Sequence, residues 1–148
     1  MTAEIRQYRR ILPGVVSAMR VQGQSSLGRD AQRYYLGGPY SLRGYDRRSM
    51  SGVQTVVVQE EVRFPILRGM TLAIPSAWVF PTVNAAAFAD AAWSWDYGPM
   101  QQLGSVGTSI FIGGGYFPAL RWDFAWLTPD FHTYSKNVYK RFSVGFNF

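Results

Sequence analysis

The chain lacks the residues on which most enzyme and metal chemistry depends. It has no cysteine and one histidine, His132, in 148 residues. Without thiols there is no disulfide, no thiolate metal site and no thiol nucleophile. A lone histidine in a predicted loop cannot supply a histidine metal cluster, and it gives a catalytic triad little to build on. We therefore expect no enzyme activity, no catalytic residue, no metal site and no cofactor.

Long apolar runs are also missing. Each one is broken by proline, aspartate or glycine well short of the roughly 18 residues that a membrane-spanning helix needs, so no transmembrane helix is predicted. The first six residues, MTAEIR, contain no apolar core of the secretory type. If the protein is exported, we expect this chain to be the later part of a longer one.

Acidic residues are scarce beside basic ones, 9 against 15, which gives a formal net charge of +6. An excess of this kind can mark binding to nucleic acid or anionic lipid. The basic residues are scattered, however, without a helical basic stripe or a repeated aromatic–basic pattern, so we expect no nucleic-acid partner. Charged residues make up only 16% of the chain and aromatic residues another 16%, which suits a protein with two kinds of apolar surface.

What the chain does have is alternation of apolar and polar residues with a period of two, the pattern of β-strands. Asp90 is the only charged residue in one such segment. Pro65 is predicted to end its strand, and residues 66–82 are predicted to be irregular. The sequence indicates one all-β domain that spans residues 1–148. Its predicted strands are 15–24, 54–64, 84–95, 105–116, 120–126 and 139–148, with 4–11 as the tail of another.

The longest predicted connection, residues 25–51, holds the most unusual segment. A loop of this length is usually functional or disordered. Its middle reads LGGPYSLRGY from Leu36 to Tyr45, and three glycines and a proline exclude the interior of a strand or helix. Its aromatic residues and Leu42 nevertheless make it too apolar for an idle solvent loop. We expect it to pack against the sheet and hold Arg43 in a fixed place, with Gly44 letting the backbone pass close behind.

Four segments of the chain carry motifs, in this order. The first is Leu42-Arg43-Gly44-Tyr45, which Leu36-Gly37-Gly38 precedes. The second is Glu61-Val62-Arg63-Phe64-Pro65, and the third is Phe88-Ala89-Asp90-Ala91-Ala92. The fourth is the run Phe142-Ser143-Val144-Gly145-Phe146-Asn147-Phe148, which stops on an aromatic residue at the end of a strand.

Together these segments resemble the BamA-like superfamily of outer-membrane proteins, which includes the bacterial surface antigens. The first is similar to the (V/I/L)-R-G-(F/Y) signature on the family's long sixth loop. The second is similar to the E-(L/F)-x-x-P pattern of the following strand. The third resembles the F-x-D-x-G motif one strand further on, with Ala92 where glycine is usual. The fourth looks like the C-terminal β-signal of outer-membrane barrels.

The resemblance implies an antiparallel up-and-down transmembrane β-barrel in the bacterial outer membrane. This chain would supply its C-terminal part, about six to seven strands. The implied role is insertion or assembly of outer-membrane proteins, or polypeptide translocation. The implied partners are outer-membrane lipid, unfolded outer-membrane client proteins, and accessory periplasmic or lipoprotein subunits. In the family the signature arginine folds inward to meet carboxylates, which here implies that Glu61 and Asp90, on neighbouring strands, anchor Arg43.

Two other interpretations stay open. The same alternation fits a soluble β-barrel or sandwich that binds a ligand, with its apolar face turned inward. An outer-membrane surface antigen or passive pore without insertase activity would carry the same motifs. Tryptophans toward the strand ends (Trp93, Trp95, Trp122 and Trp126) favour the membrane, because aromatic girdles lie at the lipid–water boundary. Glu60 conflicts with it, since alternation places this carboxylate on the lipid side unless a bulge intervenes.

Overall fold

The computed structural model of the protein describes the backbone of residues 1–74, 76–80, 82–114 and 117–145, and the side chains of these residues except 70–80, 113–114, 117–119 and 145. Over these residues the secondary structure is β without a helix and all strand pairing is antiparallel, which confirms the all-β, antiparallel part of the predicted fold class. None of them forms a helix that could cross a membrane. The strands are β1 (Thr2–Leu12), β2 (Val15–Ser25), β3 (Tyr34–Leu36), β4 (Met50–Gly52), β5 (Gln54–Leu67), β6 (Met70–Ile74), β7 (Ser76–Phe80), β8 (Val83–Trp95), β9 (Gln101–Gly114), β10 (Phe117–Thr128) and β11 (Tyr139–Gly145).

Seven of these strands form one sheet in the order β1-β2-β5-β8-β9-β10-β11. Each pairs with the next long strand along the chain, so the sheet is an up-and-down meander. The short hairpins β3–β4 and β6–β7 are inserted into the β2–β5 and β5–β8 connections. β1 and β11 are the two edges, and within the described residues they do not pair with each other. The sheet is therefore open as described, not a closed barrel.

The register divides the side chains between two faces. Residues paired across strands share a face, and Ala18, Glu61 and Phe88 are joined in this way across β2, β5 and β8. We call this the loop face, because the β2–β5 connection covers it. Along β8 its side chains are buried, whereas Ala87 and Ala89 on the opposite face are exposed.

The opposite face, which we call the apolar face, carries large hydrophobic side chains that stay accessible. Trp126 is 37% exposed, Phe142 is 53% exposed and Val144 is 55% exposed. Trp93 and Trp122 are half-buried, and the ring of Trp122 lies 4.9 Å from that of Phe142, measured between centroids. Within the described side chains, no second apolar layer buries this face.

Predictions made from prolines were wrong in three places. β5 continues through Pro65 to Leu67, and the pairing register shifts between these two residues, where a proline without an N–H is tolerated. Within the range 66–82, which was predicted to be irregular, residues 70–74 and 76–80 pair as the β6–β7 hairpin. β10 begins at Phe117 and runs through Pro118, so the predicted break between strands at 117–119 is absent, again beside a register shift.

Glu60 lies on the apolar face, as alternation predicts. The β5–β8 register runs without a shift from Gln54 to Pro65, so no bulge turns Glu60 to the other face. Ser17 of β2 donates a hydrogen bond from Oγ to Glu60 Oε1 at 2.5 Å. The carboxylate therefore has a polar partner on a face that is otherwise mostly apolar.

Candidate functional site

The β2–β5 connection, residues 26–53, lies on the loop face, and we call it the docked loop. β3 and β4 pair at its base, so the predicted loop 25–51 is built on a small hairpin. Its tip is closed by backbone hydrogen bonds: the Gly38 N–H donates to Tyr45 O and the Leu42 N–H donates to Gly38 O, both at 3.0 Å. Ser41 Oγ accepts from the Gly37 N–H at 2.8 Å. The tip therefore has a hydrogen-bond network of its own.

The first two glycines of the tip are required by its backbone. Gly37 and Gly38 have φ of 126° and 96°, a region that residues with a Cβ rarely adopt. A Cβ on Gly37 would also lie 2.0 Å from the carbonyl oxygen of Asp46. The Leu-Gly-Gly element of the motif thus shapes the turn that delivers Arg43.

Apolar contacts hold the docked loop to the sheet. Leu36, Leu42 and Met50 of the loop are buried in one cluster with Val57 of β5 and Ala92 of β8. Burying one such side chain fully contributes about 1.5–3 kcal/mol. The loop thus shares a hydrophobic core with the sheet, and its docking has an apolar component apart from any charge.

Arg43 points from the docked loop into the sheet and is 3% exposed. Its Nε donates to Asp90 Oδ2 at 2.8 Å, its Nη2 to Oδ1 at 2.5 Å, and its backbone N–H to Oδ2 at 3.0 Å. The two side-chain bonds form the parallel fork that makes arginine–carboxylate pairs strong and directional. Among the described residues, Asp90 has no other hydrogen-bond partner. Arg43 is therefore the residue that balances the negative charge of Asp90.

Glu61 receives the other arm of the same guanidinium. Arg43 Nη1 donates to Glu61 Oε2, and the carboxylate also accepts from Arg63 Nε at 2.7 Å and from Arg121 Nη2 at 3.0 Å. Three arginines, from the docked loop, β5 and β10, thus converge on one carboxylate. The structure brings together the three residues that the resemblance connects, Arg43, Glu61 and Asp90, on one face of the sheet.

The environment of Arg43 keeps it charged. Burial by itself lowers the pKa of Arg43, but hydrogen bonds and charge from Asp90, together with the charge of Glu61, outweigh it and raise the pKa. The guanidinium carbon also lies 3.8 Å from the ring centroid of Phe88, a cation–π contact of about 0.5–2 kcal/mol. Phe88 and Asp90 belong to the same motif, and both contact Arg43.

The next two signature residues contact β10. Gly44 has a φ of 87°, and a Cβ there would lie 2.5 Å from Leu127 Cδ2 and 2.7 Å from Ala125 Cβ. Tyr45 donates a hydrogen bond from its hydroxyl to Thr128 O at 3.1 Å, and burial raises the pKa of this hydroxyl. Arg43 therefore binds β5 and β8, whereas Gly44 and Tyr45 bind β10.

Sequence reasoning missed a contact between the docked loop and the last strand. Asp46 Oδ1 accepts from the Tyr139 hydroxyl at 2.9 Å and from Arg141 Nη2 at 3.2 Å. Arg141 Nη1 also donates to Tyr45 O at 3.2 Å. The available signal was that Asp46 follows the signature directly and that Arg141 lies on the polar side of its strand.

A second feature extends the ion-pair cluster along β10. Asp123 is buried, and its Oδ1 accepts from Ser109 Oγ at 2.5 Å and from Arg121 Nε at 2.7 Å. Arg121 also binds Glu61, so it connects the two carboxylates. The predicted alternation does place residues 121 and 123 on one face.

The predicted C-terminal signal lies apart from this site. Phe142 and Val144 are on the apolar face, Gly145 is the last residue of β11, and Phe146 and Phe148 lie outside the described residues. His132 is exposed in the β10–β11 connection. The described part of the chain contains no group of three or more histidine, aspartate or glutamate residues that could hold a metal ion.

Comparisons with protein-family models, with curated proteins and with solved structures found no match to this chain. The site is therefore interpreted from its geometry and from its motifs. Chemically, it is a buried arrangement of arginines and carboxylates that fixes a long loop to β5 and β8, with further contacts of the loop to β10 and β11.

Proposed function

We propose that this chain forms part of the wall of a BamA-like outer-membrane β-barrel, in which Arg43 fixes the docked loop inside the barrel. The barrel would insert or assemble outer-membrane proteins, or translocate polypeptides. The observation that carries the proposal is the contact of Arg43 with Glu61 and Asp90. Three short motifs that matched by chance would have no reason to converge on one buried ion-pair cluster.

The two faces of the sheet support a membrane location. A barrel wall in lipid needs one face of apolar side chains toward the hydrocarbon and a polar interior. Here the apolar face leaves Trp126, Phe142 and Val144 accessible, while the charged cluster lies on the loop face. A soluble sandwich would turn its apolar face inward, so the exposed apolar side chains favour lipid.

The open edges of the sheet are part of the proposal. Unpaired backbone groups in hydrocarbon cost several kcal/mol each, and β1 and β11 each have one partner within the described residues. We propose that further strands complete the barrel, supplied by the rest of a longer chain or by association of copies.

Membrane placement is tested with the chain folded into lipid vesicles. We expect tryptophan emission to be quenched by lipids brominated near the headgroup ends of their acyl chains, because the apolar face carries Trp93, Trp122 and Trp126. A Trp126→Phe variant should lose part of this quenching. A chain that stays monomeric and folded without detergent, with no quenching, would contradict the membrane assignment.

The role in client handling is tested with three variants of the protein that carries this segment. Arg43→Ala and Asp90→Asn should slow the insertion of an unfolded outer-membrane client into vesicles. Arg33→Ala is the matched control, since Arg33 of the docked loop pairs with Asp96 in a half-exposed ion pair that shares no residue with the cluster. Normal insertion by both cluster variants would end the proposed role.

A passive pore or surface antigen is the second candidate, favoured by a cavity of about 380 Å³ on the loop face, which Arg20, Tyr40 and Arg121 help to line. In that case the ion pairs are purely structural. Arg43→Ala should then change the conductance of planar bilayers, while client insertion is absent with the wild-type protein as well. Measuring both quantities on the same preparation separates the two functions.

A further inference from the structure

A cavity of about 380 Å³ lies between the tip of the docked loop and strands β1, β2, β5 and β10. Its charged lining is strongly unequal. The lining includes five arginines and one acidic residue: Arg6, Arg20, Arg43, Arg63, Arg121 and Glu61. Like charges so close together raise the affinity of a site for an anion.

The carboxylates around the cavity do not use all the donors of these arginines. Glu4 binds Arg6 and Arg20, and Asp90 and Asp123 bind Arg43 and Arg121. Together with Glu61, four acidic residues therefore pair with the five arginines. Since the arginines outnumber the acids by one, an anion that enters the cavity meets a net positive charge.

Individual atoms point the same way. Arg6 and Arg63 each bind a carboxylate through Nε alone, so their terminal nitrogens keep donors available. A phosphate in the cavity has acceptor oxygens for these terminal nitrogens.

We propose that this cavity binds a phosphate group of a soluble phosphorylated anion. A phosphate offers several acceptor oxygens in different directions, so it can bind several guanidinium groups at once. The ligand is soluble rather than a membrane lipid, because the cavity is on the loop face and the sheet separates it from the apolar face. The proposal needs the docked loop and the sheet but not a membrane, so it can fail or succeed independently of the proposed function.

The direct test uses inorganic pyrophosphate as the probe and calorimetry on the full chain, folded in micelles of a zwitterionic detergent. We expect saturable binding to the wild type, weakened about tenfold or more in Arg6→Gln/Arg63→Gln because two forked donors are lost. Arg33→Gln removes the same kind of paired, half-exposed arginine outside the cavity and should bind as the wild type does. No saturable binding, or an equal loss in Arg33→Gln, would overturn the proposal.

A second measurement resolves the site without substitutions. Phenylglyoxal modifies accessible arginines, and mass spectrometry identifies them. Pyrophosphate should protect Arg6 and Arg63 but leave Arg33 reactive. In a parallel sample, phosphatidylglycerol mixed into the micelles should give no protection. Protection by the lipid alone, or equal protection of all three arginines, would overturn a site for a soluble phosphate.

Discussion

Asp90→Asn removes one charge from the ion-pair cluster and changes almost no volume. Asp90 accepts three hydrogen bonds from Arg43, so the amide nitrogen of asparagine must face an N–H donor at one of its two positions. Removing one partner of a buried pair costs about 3–5 kcal/mol. Glu61 still binds Arg43, so we take the lower end, about 3 kcal/mol, which is about a hundredfold in the docking equilibrium of the loop.

Trypsin cleavage after Arg43 measures this docking equilibrium of the loop. Cleavage between Arg43 and Gly44 requires the loop to leave the sheet, because Arg43 is 3% exposed. When opening is fast relative to cleavage, the cleavage rate follows the population of the open form. We expect the Asp90→Asn protein to be cut at this bond about a hundredfold faster than the wild type, as measured by mass spectrometry of the fragments.

Arg33→Ala is the control, because an exposed ion pair contributes about 0–1 kcal/mol. It should change cleavage at Arg43 by less than about fivefold. Cleavage of Asp90→Asn within about threefold of the wild-type rate would refute the reasoning, since the buried pair would then contribute no more than a surface pair. An equal acceleration in Arg33→Ala would also refute it.

Three further predictions concern other parts of the structure. Gly44→Ala should accelerate cleavage after Arg43 as well, because its Cβ would lie 2.5 Å from Leu127 Cδ2 at a φ of 87°; unchanged cleavage would show that β10 moves aside. Asp46→Asn should raise hydrogen exchange in β11 by less than about fivefold, because it weakens an exposed ion pair, and a larger increase would mean that the contact does more than the structure indicates. Backbone hydrogen bonds from Thr133 and His132 lower the pKa of Asp130 to about 2. The order that these hydrogen bonds give to the β10–β11 connection is therefore fully present above about pH 4, and it is lost as the pH falls through about 2. The NMR shifts of the amides in this connection should change with pH in the wild type but not in Asp130→Asn. A change that persists in the variant would mean that another group titrates.

The division of the strands into two faces was predictable from sequence because alternation is a local property. Residues 61 and 90 fall on one face because Glu61 pairs with Phe88, two residues from Asp90, and the register has no shift between Gln54 and Pro65. The residue that pairs with these carboxylates could not be predicted from alternation, because it lies in a different segment of the chain. Composition marked Arg43 as a residue held in place, but only the resemblance indicated where it is held.

The sequence predictions failed where a structural rule has exceptions. Pro65 lies within β5 because the ladder is irregular beside it. The β6–β7 hairpin escaped notice because each strand has five residues, too few for alternation to stand out among prolines. The contact of Asp46 with Arg141 joins residues 95 positions apart. No periodicity within one strand can predict such a contact.

Two of the ionic attachments of the docked loop differ in strength, and this sets the order in which they are released. Arg43 and Asp90 are almost completely buried, with side chains 4% and 0% exposed, whereas the side chain of Asp46 is 74% exposed in its pair with Arg141. Losing a buried pair costs about 3–5 kcal/mol and losing an exposed one about 0–1 kcal/mol. Movement of β11 away from the sheet should therefore break the Asp46 contact first and leave the loop bound to β5 and β8. In a barrel that opens at its last strand, the loop would stay in place while that strand moves.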